Sequence, residues 1–259
     1  MPQVQTLGGR DVTSPILLVT GGSRRFKILP VAPERLPFTI SRTRLPLVEV
    51  ERVDNRVGPN FATFSLRATG AGDTEIQIGA ASGGTPIKLG VRVIAPVALP
   101  DESTDVGMLT RLFLAENEAP GAGYSATDAA ETMTLMHVVL LNRLRRPDGR
   151  WASAGARSLR DVVRAPGQFR GFENYPTIAA ATQSTIDGLL RIANDANNPL
   201  LPAMRAHIAL AIAQAAERAP ADPTRTGLFW WRTENSGSPG TGVVRFKTVG
   251  GNTFWREGP

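Results

Sequence analysis

One glutamate has the setting of a general acid. Glu116 follows Leu112 and Phe113 by four and three positions, so on a helix it lies beside their apolar face. A carboxyl group held against apolar side chains has a raised pKa and can protonate the oxygen of a glycosidic bond. Glu116 is therefore the candidate catalytic residue, and a solvated residue at a helix end is the alternative interpretation. Glu118, about 200° further round such a helix, is a candidate for substrate contact.

Four further residues are candidates for binding a sugar. Asn142 shares an apolar helix face with Leu135, so its amide needs hydrogen-bond partners, either on a ligand or on nearby backbone. Gln168 and Phe169 follow a Pro-Gly turn, and Tyr175 lies close to them in the sequence. Amides bind hydroxyl and amide groups, and aromatic rings stack on sugars, although aromatic side chains most often serve the core.

The composition excludes several kinds of site. The chain of 259 residues has no cysteine, which excludes disulfide scaffolds, thiolate metal sites and cysteine nucleophiles. Two histidines, His137 and His207, leave little room for a His-rich metal centre or a Ser-His-Asp triad. We therefore expect no metal and no cofactor.

The elements that must position these residues fall into two parts. Residues 1–98 contain about seven short runs of alternating apolar residues separated by turns, which is typical of an immunoglobulin-like sandwich. A Pro-rich connector follows at 95–100. Residues 99–259 contain predicted helices at 106–118, 125–145, 158–166, 177–195 and 199–218, with strand-like sequence at the end.

The net charge of +6 is concentrated in the first part. Residues 1–98 hold 12 basic and 7 acidic residues, and residues 99–259 hold 17 and 16. The first part is thus predicted to be a docking or wall-binding module whose charge favours carboxylates or phosphates. A merely solvated β surface is the alternative.

Four segments, taken together, resemble the cell wall hydrolases of the SleB type, the spore-cortex-lytic enzymes. Leu-Ala-Glu ending at Glu116 is similar to that family's catalytic motif. Val-Val-Leu-Leu-Asn-Arg ending at Arg143 is similar to its next helix end, and Pro-Gly-Gln-Phe ends at Phe169. The aromatic segments 227–231 and 250–255 resemble the last motif.

The resemblance implies cleavage of peptidoglycan glycan strands between N-acetylmuramic acid and N-acetylglucosamine. It implies a lytic transglycosylase with Glu116 as the single acid and base, and with Asn142, Gln168, Phe169 and Tyr175 holding the glycan. It also implies a mainly α, lysozyme-like (α+β) domain in residues 99–259. The strand pattern of residues 1–98, which loosely resembles bacterial immunoglobulin-like modules, adds an all-β immunoglobulin-like sandwich, so the predicted fold class is two domains.

Two other interpretations remain open at this point. If water replaces the C6 hydroxyl of the muramic ring, the same site gives a muramidase. The place of the family's usual second glutamate is Pro120 here, so a non-catalytic structural or adhesion protein with a degenerate lysozyme-like domain is the other interpretation.

Localisation and partners follow as expectations. The first residues lack a signal-peptide pattern, and no apolar run reaches the ~18 residues of a membrane-spanning helix. We expect synthesis in the cytoplasm and action in the periplasm or cell wall of a target bacterium, after delivery as a secretion-system effector or a phage lysin. Expected partners are peptidoglycan glycan strands, a secretion apparatus or phage component, and an immunity protein, without nucleic-acid binding or membrane insertion.

Overall fold

The computed structural model describes residues 3–29, 38–42, 46–54, 61–80, 83–146, 155–224 and 227–258. The chain divides into two compact units. The N-terminal unit comprises Met1–Val97 with Asn194–Pro199, and the C-terminal unit comprises Ala98–Ala193 with Leu200–Pro259.

The N-terminal unit is built from two four-stranded sheets. One sheet has the order β1-β3-β6-β5 and the other the order β2-β8-β7-β4. All neighbours are antiparallel except β2 and β8, which are parallel. The strands are β1 (Gln3–Thr6), β2 (Ile16–Val19), β3 (Ser23–Leu29), β4 (Phe38–Arg42), β5 (Val48–Asp54), β6 (Ala62–Ala68), β7 (Gly72–Ala80) and β8 (Ile87–Ile94).

Alternating side chains of both sheets fill one core. Ile76 and Ile78 of β7 are buried with Leu18 of β2, and they share a hydrophobic cluster with Phe26 and Phe64 of the other sheet. The two phenylalanine rings stack with their centroids 5.2 Å apart. Each such buried side chain contributes about 1.5–3 kcal/mol to folding, so the period-two pattern of the sequence specifies this core.

The C-terminal unit combines five helices with a third sheet. The helices are α1 (Asp105–Glu116), α2 (Ala126–Arg145), α3 (Leu159–Val163), α4 (Ala180–Ala193) and α5 (Leu201–Ala216). The strands are β9 (Leu228–Thr233), β10 (Val243–Val249) and β11 (Asn252–Glu257). They form an antiparallel sheet in the order β10-β11-β9, which packs against α2.

The predicted fold class, a sandwich followed by a mainly α, lysozyme-like domain, is wrong. In the described residues the chain forms eleven strands in three sheets, and only about 30% of it is helical. The sequence motifs behind the prediction are short segments at helix ends and in loops. They specify residue types at a few places but not the topology that joins them. The segment that forms β9 stands out in the sequence only for its aromatic residues and not as a strand.

Local signals account for where the helices begin. Ser125 and Ser158 cap α2 and α3, and each hydroxyl accepts a hydrogen bond from the backbone N–H three residues later. At α1 the cap is Thr104, whose hydroxyl accepts from the N–H of Gly107. None of the helices in the described ranges is long and apolar enough to cross a membrane.

Candidate functional site

Glu116 is the last residue of α1, and its neighbours fix it there. Leu112 and Phe113, one turn earlier, are fully buried. Asn117 ends the helix with extended backbone, and its N–H still donates to the carbonyl of Phe113. The side-chain amide of Asn252, the first residue of β11, donates to the carbonyl oxygen of Glu116 at 3.2 Å. The helix end is thereby tied to the third sheet.

The carboxyl group of Glu116 is largely removed from water. Burial raises its pKa, because a charged carboxylate loses hydration there. A polar interaction with the Trp231 side chain favours the charged form and opposes part of this rise. Since burial is the larger effect, the net direction of the pKa is upward. A carboxyl group tuned in this way can act as a general acid near neutral pH.

A cavity of about 280 Å³ opens beside this carboxyl group, and we call it the Glu116 pocket. It brings together three of the predicted site residues, Glu116, Gln168 and Phe169. Its lining residues are Glu116, Arg143, Gly167, Gln168, Phe169, Trp230, Trp231, Arg232, Thr233 and Ser236.

Gln168 and Phe169 form one wall of the pocket. The ring of Phe169 stacks on Trp231 with the centroids 5.0 Å apart. Phe169 is only 3% exposed, so it supports Trp231 more than it offers a free face for a ligand. The side-chain oxygen of Gln168 accepts a hydrogen bond from the Arg143 guanidinium at 2.9 Å. That bond fixes the amide orientation, with its oxygen toward Arg143.

Arg143 connects the parts of the pocket. Its Nε donates to the carbonyl of Phe229 at 2.8 Å, and its guanidinium lies 4.9 Å from the ring centroid of Trp230. Burial lowers the pKa of Arg143 to about 9, which leaves it charged at neutral pH. A charged group in this setting is held by directional hydrogen bonds and by aromatic faces, so Arg143 orders Gln168 and β9 together.

The start of β9, an edge strand of its sheet, is anchored by the end of α2. The amide of Asn142 donates to the carbonyl of Leu228 at 3.0 Å and to the carboxylate of Asp222. Asn142 is buried and is not among the pocket-lining residues. The structure therefore gives it the backbone-bonding setting that the sequence left open, and its contribution is to position β9.

Tyr175 and Glu118 also lie outside the pocket. The ring of Tyr175 is 1% exposed, and its hydroxyl donates to the carbonyl of Glu102 at 2.7 Å. Glu118 is exposed, one residue beyond the C-cap of α1. Neither side chain is brought to the Glu116 pocket that Gln168 and Phe169 line.

The pocket residues that the sequence does not single out as site residues include Arg143, Trp231 and Arg232. Arg143 directly follows Asn142 in the Val-Val-Leu-Leu-Asn-Arg segment. Its place at the end of an apolar helix segment is the sequence signal that could have identified it. Trp231 was noted as part of an aromatic segment. Its pairing with Glu116 joins positions far apart in the chain, and no spacing rule reveals such a pair.

The two histidines lie in structural settings. His207 is buried and its Nδ1 is 2.9 Å from the hydroxyl of Tyr124, while Nδ1 of His137 is 3.2 Å from the carbonyl of Gln214. Burial lowers the pKa of His207 to about 4 and lowers that of His137 as well. Within the described part of the chain, no group of three or more His, Asp or Glu residues is arranged to hold a metal ion.

No protein-family model matches the sequence, and no curated protein matches it. Among solved structures the chain is similar to domains 4 and 5 of the S-layer protein SbsC, at 19% identity and a TM-score of 0.27, over 32% of this chain and 42% of that one. It is similar to a mutant of the titin I27 domain at 14% identity and a TM-score of 0.23, over 36% of this chain and 97% of that one.

An endo-fucoidan hydrolase of glycoside hydrolase family 107 is similar at 12% identity and a TM-score of 0.21, over 33% of this chain and 13% of that one. The chain thus spans less than half the length of the SbsC fragment. These similarities are too low to carry a functional argument, so function rests on the residues of the pocket.

Proposed function

We propose that the chain cleaves the glycan strands of peptidoglycan between N-acetylmuramic acid and N-acetylglucosamine, as a lytic transglycosylase. The observation that carries this proposal is the Glu116 carboxyl group, half-buried at the pocket wall with a raised pKa. It has the properties of a general acid for glycosidic bond cleavage. The motif resemblance to the SleB-type cell wall hydrolases supports the choice of peptidoglycan as substrate.

The other lining residues suit a sugar ligand. Trp230 is partly exposed and offers an aromatic surface, and Gln168, Thr233 and Ser236 offer amide and hydroxyl groups. Ligand sites commonly combine aromatic walls with a few fixed polar groups. The acetamido and hydroxyl groups of an amino sugar are complementary to this combination.

The proposed reaction needs one carboxyl group. Protonated Glu116 gives its proton to the glycosidic oxygen as the bond to C1 of the muramic ring breaks. The carboxylate then takes the proton of the C6 hydroxyl of the same ring as that oxygen bonds to C1, which closes a 1,6-anhydro ring. Hydrolases that invert or retain configuration use a pair of carboxylates, whereas here the substrate supplies its own nucleophile. Among the described residues that line the pocket, Glu116 is the one carboxylate.

The test is incubation of the purified protein with purified sacculi, followed by mass spectrometry of the released muropeptides. The proposal expects 1,6-anhydromuramic ends. Products with reducing ends would instead mean hydrolysis at the same site, and would overturn the transglycosylase reaction while keeping glycan cleavage. Absence of any released muropeptide would overturn the enzymatic proposal and favour a non-catalytic protein.

A further inference from the structure

A second cavity adjoins the Glu116 pocket. It has a volume of about 160 Å³, and it shares two lining residues, Thr233 and Ser236, with the Glu116 pocket. We call it the Trp255 pocket. A complete small-molecule site usually measures ~300–1,000 Å³, so this cavity is too small to be one. Its size fits a single unit of a ligand that continues from the neighbouring pocket.

The floor of the Trp255 pocket is one face of the third sheet. Thr248 on β10 and Thr253 on β11 are register partners, and their hydroxyl groups lie 2.9 Å apart. Arg245 and Trp255 are the next pair of pocket residues along the same two strands. Trp231 of β9 is buried. Trp230, the register partner of Trp255, is partly exposed and lines the Glu116 pocket. The two pockets are therefore joined through this pair of strands and through Thr233, which lines both of them.

The loop after β9 forms the wall of this pocket. Asn235 has a φ of 67°, a left-handed conformation that asparagine tolerates better than most residues. The loop is fixed by hydrogen bonds from the N–H of Ser236 to the carbonyl of Thr233 and from the N–H of Glu234 to that of Gly251. The wall is thus a defined turn that presents the Asn235 side chain to the cavity.

The chemistry of the lining is that of a sugar site. It combines the hydroxyl groups of three threonines and one serine, an amide and an indole ring with one cation, Arg245, and one anion, Glu234. The charges balance, which favours a neutral ligand. The indole N–H of Trp255 is shielded from solvent and has no hydrogen-bond partner among the described residues. Trp255 as a whole is only partly buried, so it offers part of its ring to the cavity.

We infer that the Trp255 pocket is a second subsite for the same glycan strand, and that it takes an uncharged sugar ring bearing hydroxyl and acetamido groups. This inference rests on the proposed function, because the two rings that flank the cleaved bond at the Glu116 pocket and the further ring in the Trp255 pocket belong to one chain. The protein then binds the glycan beyond the glycosidic bond that it cleaves, so longer glycans bind more tightly than short ones.

The test compares two oligosaccharides prepared from glycan strands, a disaccharide and a tetrasaccharide of alternating N-acetylglucosamine and N-acetylmuramic acid. Their dissociation constants are measured by calorimetry on the full chain carrying Glu116→Gln, which prevents turnover. We expect the tetrasaccharide to bind at least about tenfold tighter, as a few additional hydrogen bonds would give. Adding Asn235→Gly and Thr248→Val should remove most of that gain and leave the disaccharide constant unchanged.

The two substitutions suit their positions. Glycine accepts the left-handed backbone of Asn235, and valine has nearly the shape of threonine. Thr185→Val on α4, where the hydroxyl bonds to the carbonyl of Ala181, is the matched control and should keep the full gain. Equal affinity for both oligosaccharides, or a gain that survives the double substitution, would overturn the subsite.

The failure of the proposed function has a different signature. If the unmodified protein releases muropeptides from sacculi but shows no length dependence, the subsite alone is overturned. If it releases none and neither oligosaccharide binds, the proposed function and the subsite fall together.

Discussion

Trp231 and Glu116 line the same pocket, and a polar interaction of the Trp231 indole N–H with the Glu116 carboxylate lowers the pKa of that carboxyl group. The interaction favours the ionised carboxylate, whereas burial favours the protonated form and is the larger effect. Trp231→Phe keeps an aromatic ring beside Phe169 and removes the donor, so it should raise the pKa of Glu116 further. Because a general acid must be protonated, the alkaline limb of the pH profile should move to higher pH.

The measurement is the pH dependence of kcat/KM for glycan cleavage, which reports the ionisation of groups in the free enzyme. Trp230→Phe leaves the Trp231 donor in place and serves as the control, in which the limb should stay where it is. An alkaline limb that stays in place, or moves to lower pH, in Trp231→Phe would show that the interaction with Trp231 does not set the ionisation of Glu116.

Arg143 is expected to couple the stability of the site to its activity. A lysine at this position keeps a positive charge but cannot reproduce the fork that reaches both Gln168 and the carbonyl of Phe229. Arg143→Lys should lower the free energy of unfolding by about 1–3 kcal/mol, the usual cost of leaving buried polar groups unpaired. It should also slow glycan cleavage at a temperature at which the variant remains folded.

Chemical denaturation and muropeptide release measure these two effects. Arg145→Lys near the same helix end is the control, because Arg145 is not among the pocket-lining residues. If Arg143→Lys matched the wild type in both stability and rate, the connecting role of Arg143 would be refuted.

Gly107 allows α1 to pack closely. A Cβ atom at this position would lie 1.9 Å from the carbonyl oxygen of Asp101, a distance at which backbone must move. Gly107→Ala should therefore destabilise the protein, even though alanine is favoured over glycine in a helix by about 1 kcal/mol. Gly188 on α4 has no atom within 4 Å of such a Cβ, so Gly188→Ala should stabilise by about that amount.

Thermal unfolding of the two variants provides the comparison, since the chemical change is the same in both. The expected melting temperatures lie on opposite sides of the wild-type value. A Gly107→Ala variant as stable as Gly188→Ala would mean that the close packing of α1 on this segment is not a constraint.

His207 should make the protein sensitive to mild acid. Its pKa in the folded state is about 4, against 6.5 in the unfolded chain, because burial disfavours the charged ring. The stability that depends on neutral His207 is thus fully present above pH 6.5 and is lost as the pH falls toward 4. At about 1.4 kcal/mol per pKa unit, the full loss is roughly 3 kcal/mol.

His207→Gln removes this titration, and the free energy of unfolding should then fall less between pH 7 and pH 5 than in the wild type. Urea unfolding at several pH values gives the free energy of unfolding as a function of pH. The slopes of the two proteins are compared and not the values themselves, because the substitution also removes the contact with Tyr124 and shifts the stability at every pH. Some slope remains because His137 is shifted in the same direction. Identical slopes for variant and wild type would contradict the assignment.

The sequence predicts local structure well where the signal is itself local. Helices predicted to begin at 125 and 158 do begin there, capped by Ser125 and Ser158, and the alternation around Ile76 and Ile78 corresponds to a buried face. It also indicated three of the residues that line the Glu116 pocket, because Glu116, Gln168 and Phe169 stand in recognisable short segments.

Long-range partners decide the rest. An amide on an apolar helix face looks the same whether it binds a ligand or a strand, and the partners of Asn142 lie about 80 residues away, at Asp222 and Leu228. Tyr175 is a predicted sugar-binding residue, but its hydroxyl donates a hydrogen bond to the carbonyl of Glu102. The fold class failed for the same reason, because short motifs do not record how the strands between them pair.

Glu116 and Glu118 offer a matched pair of substitutions for the central claim. Glu116 lines the pocket with a raised pKa, whereas Glu118 is exposed and lies outside it. Glu116→Gln should not unfold the chain, because the ionised carboxylate opposes folding at neutral pH when burial raises its pKa. Circular dichroism and thermal unfolding verify this before activity is compared.

The most direct measurement is the rate at which each variant releases muropeptides from purified sacculi, read by mass spectrometry beside the wild type. Loss of a general acid slows a reaction by about 10²- to 10⁴-fold, so Glu116→Gln should release almost nothing, while Glu118→Gln should release anhydro products at close to the wild-type rate. Undiminished release by folded Glu116→Gln, or a comparable loss in both variants, would contradict the assignment of Glu116 as the catalytic acid.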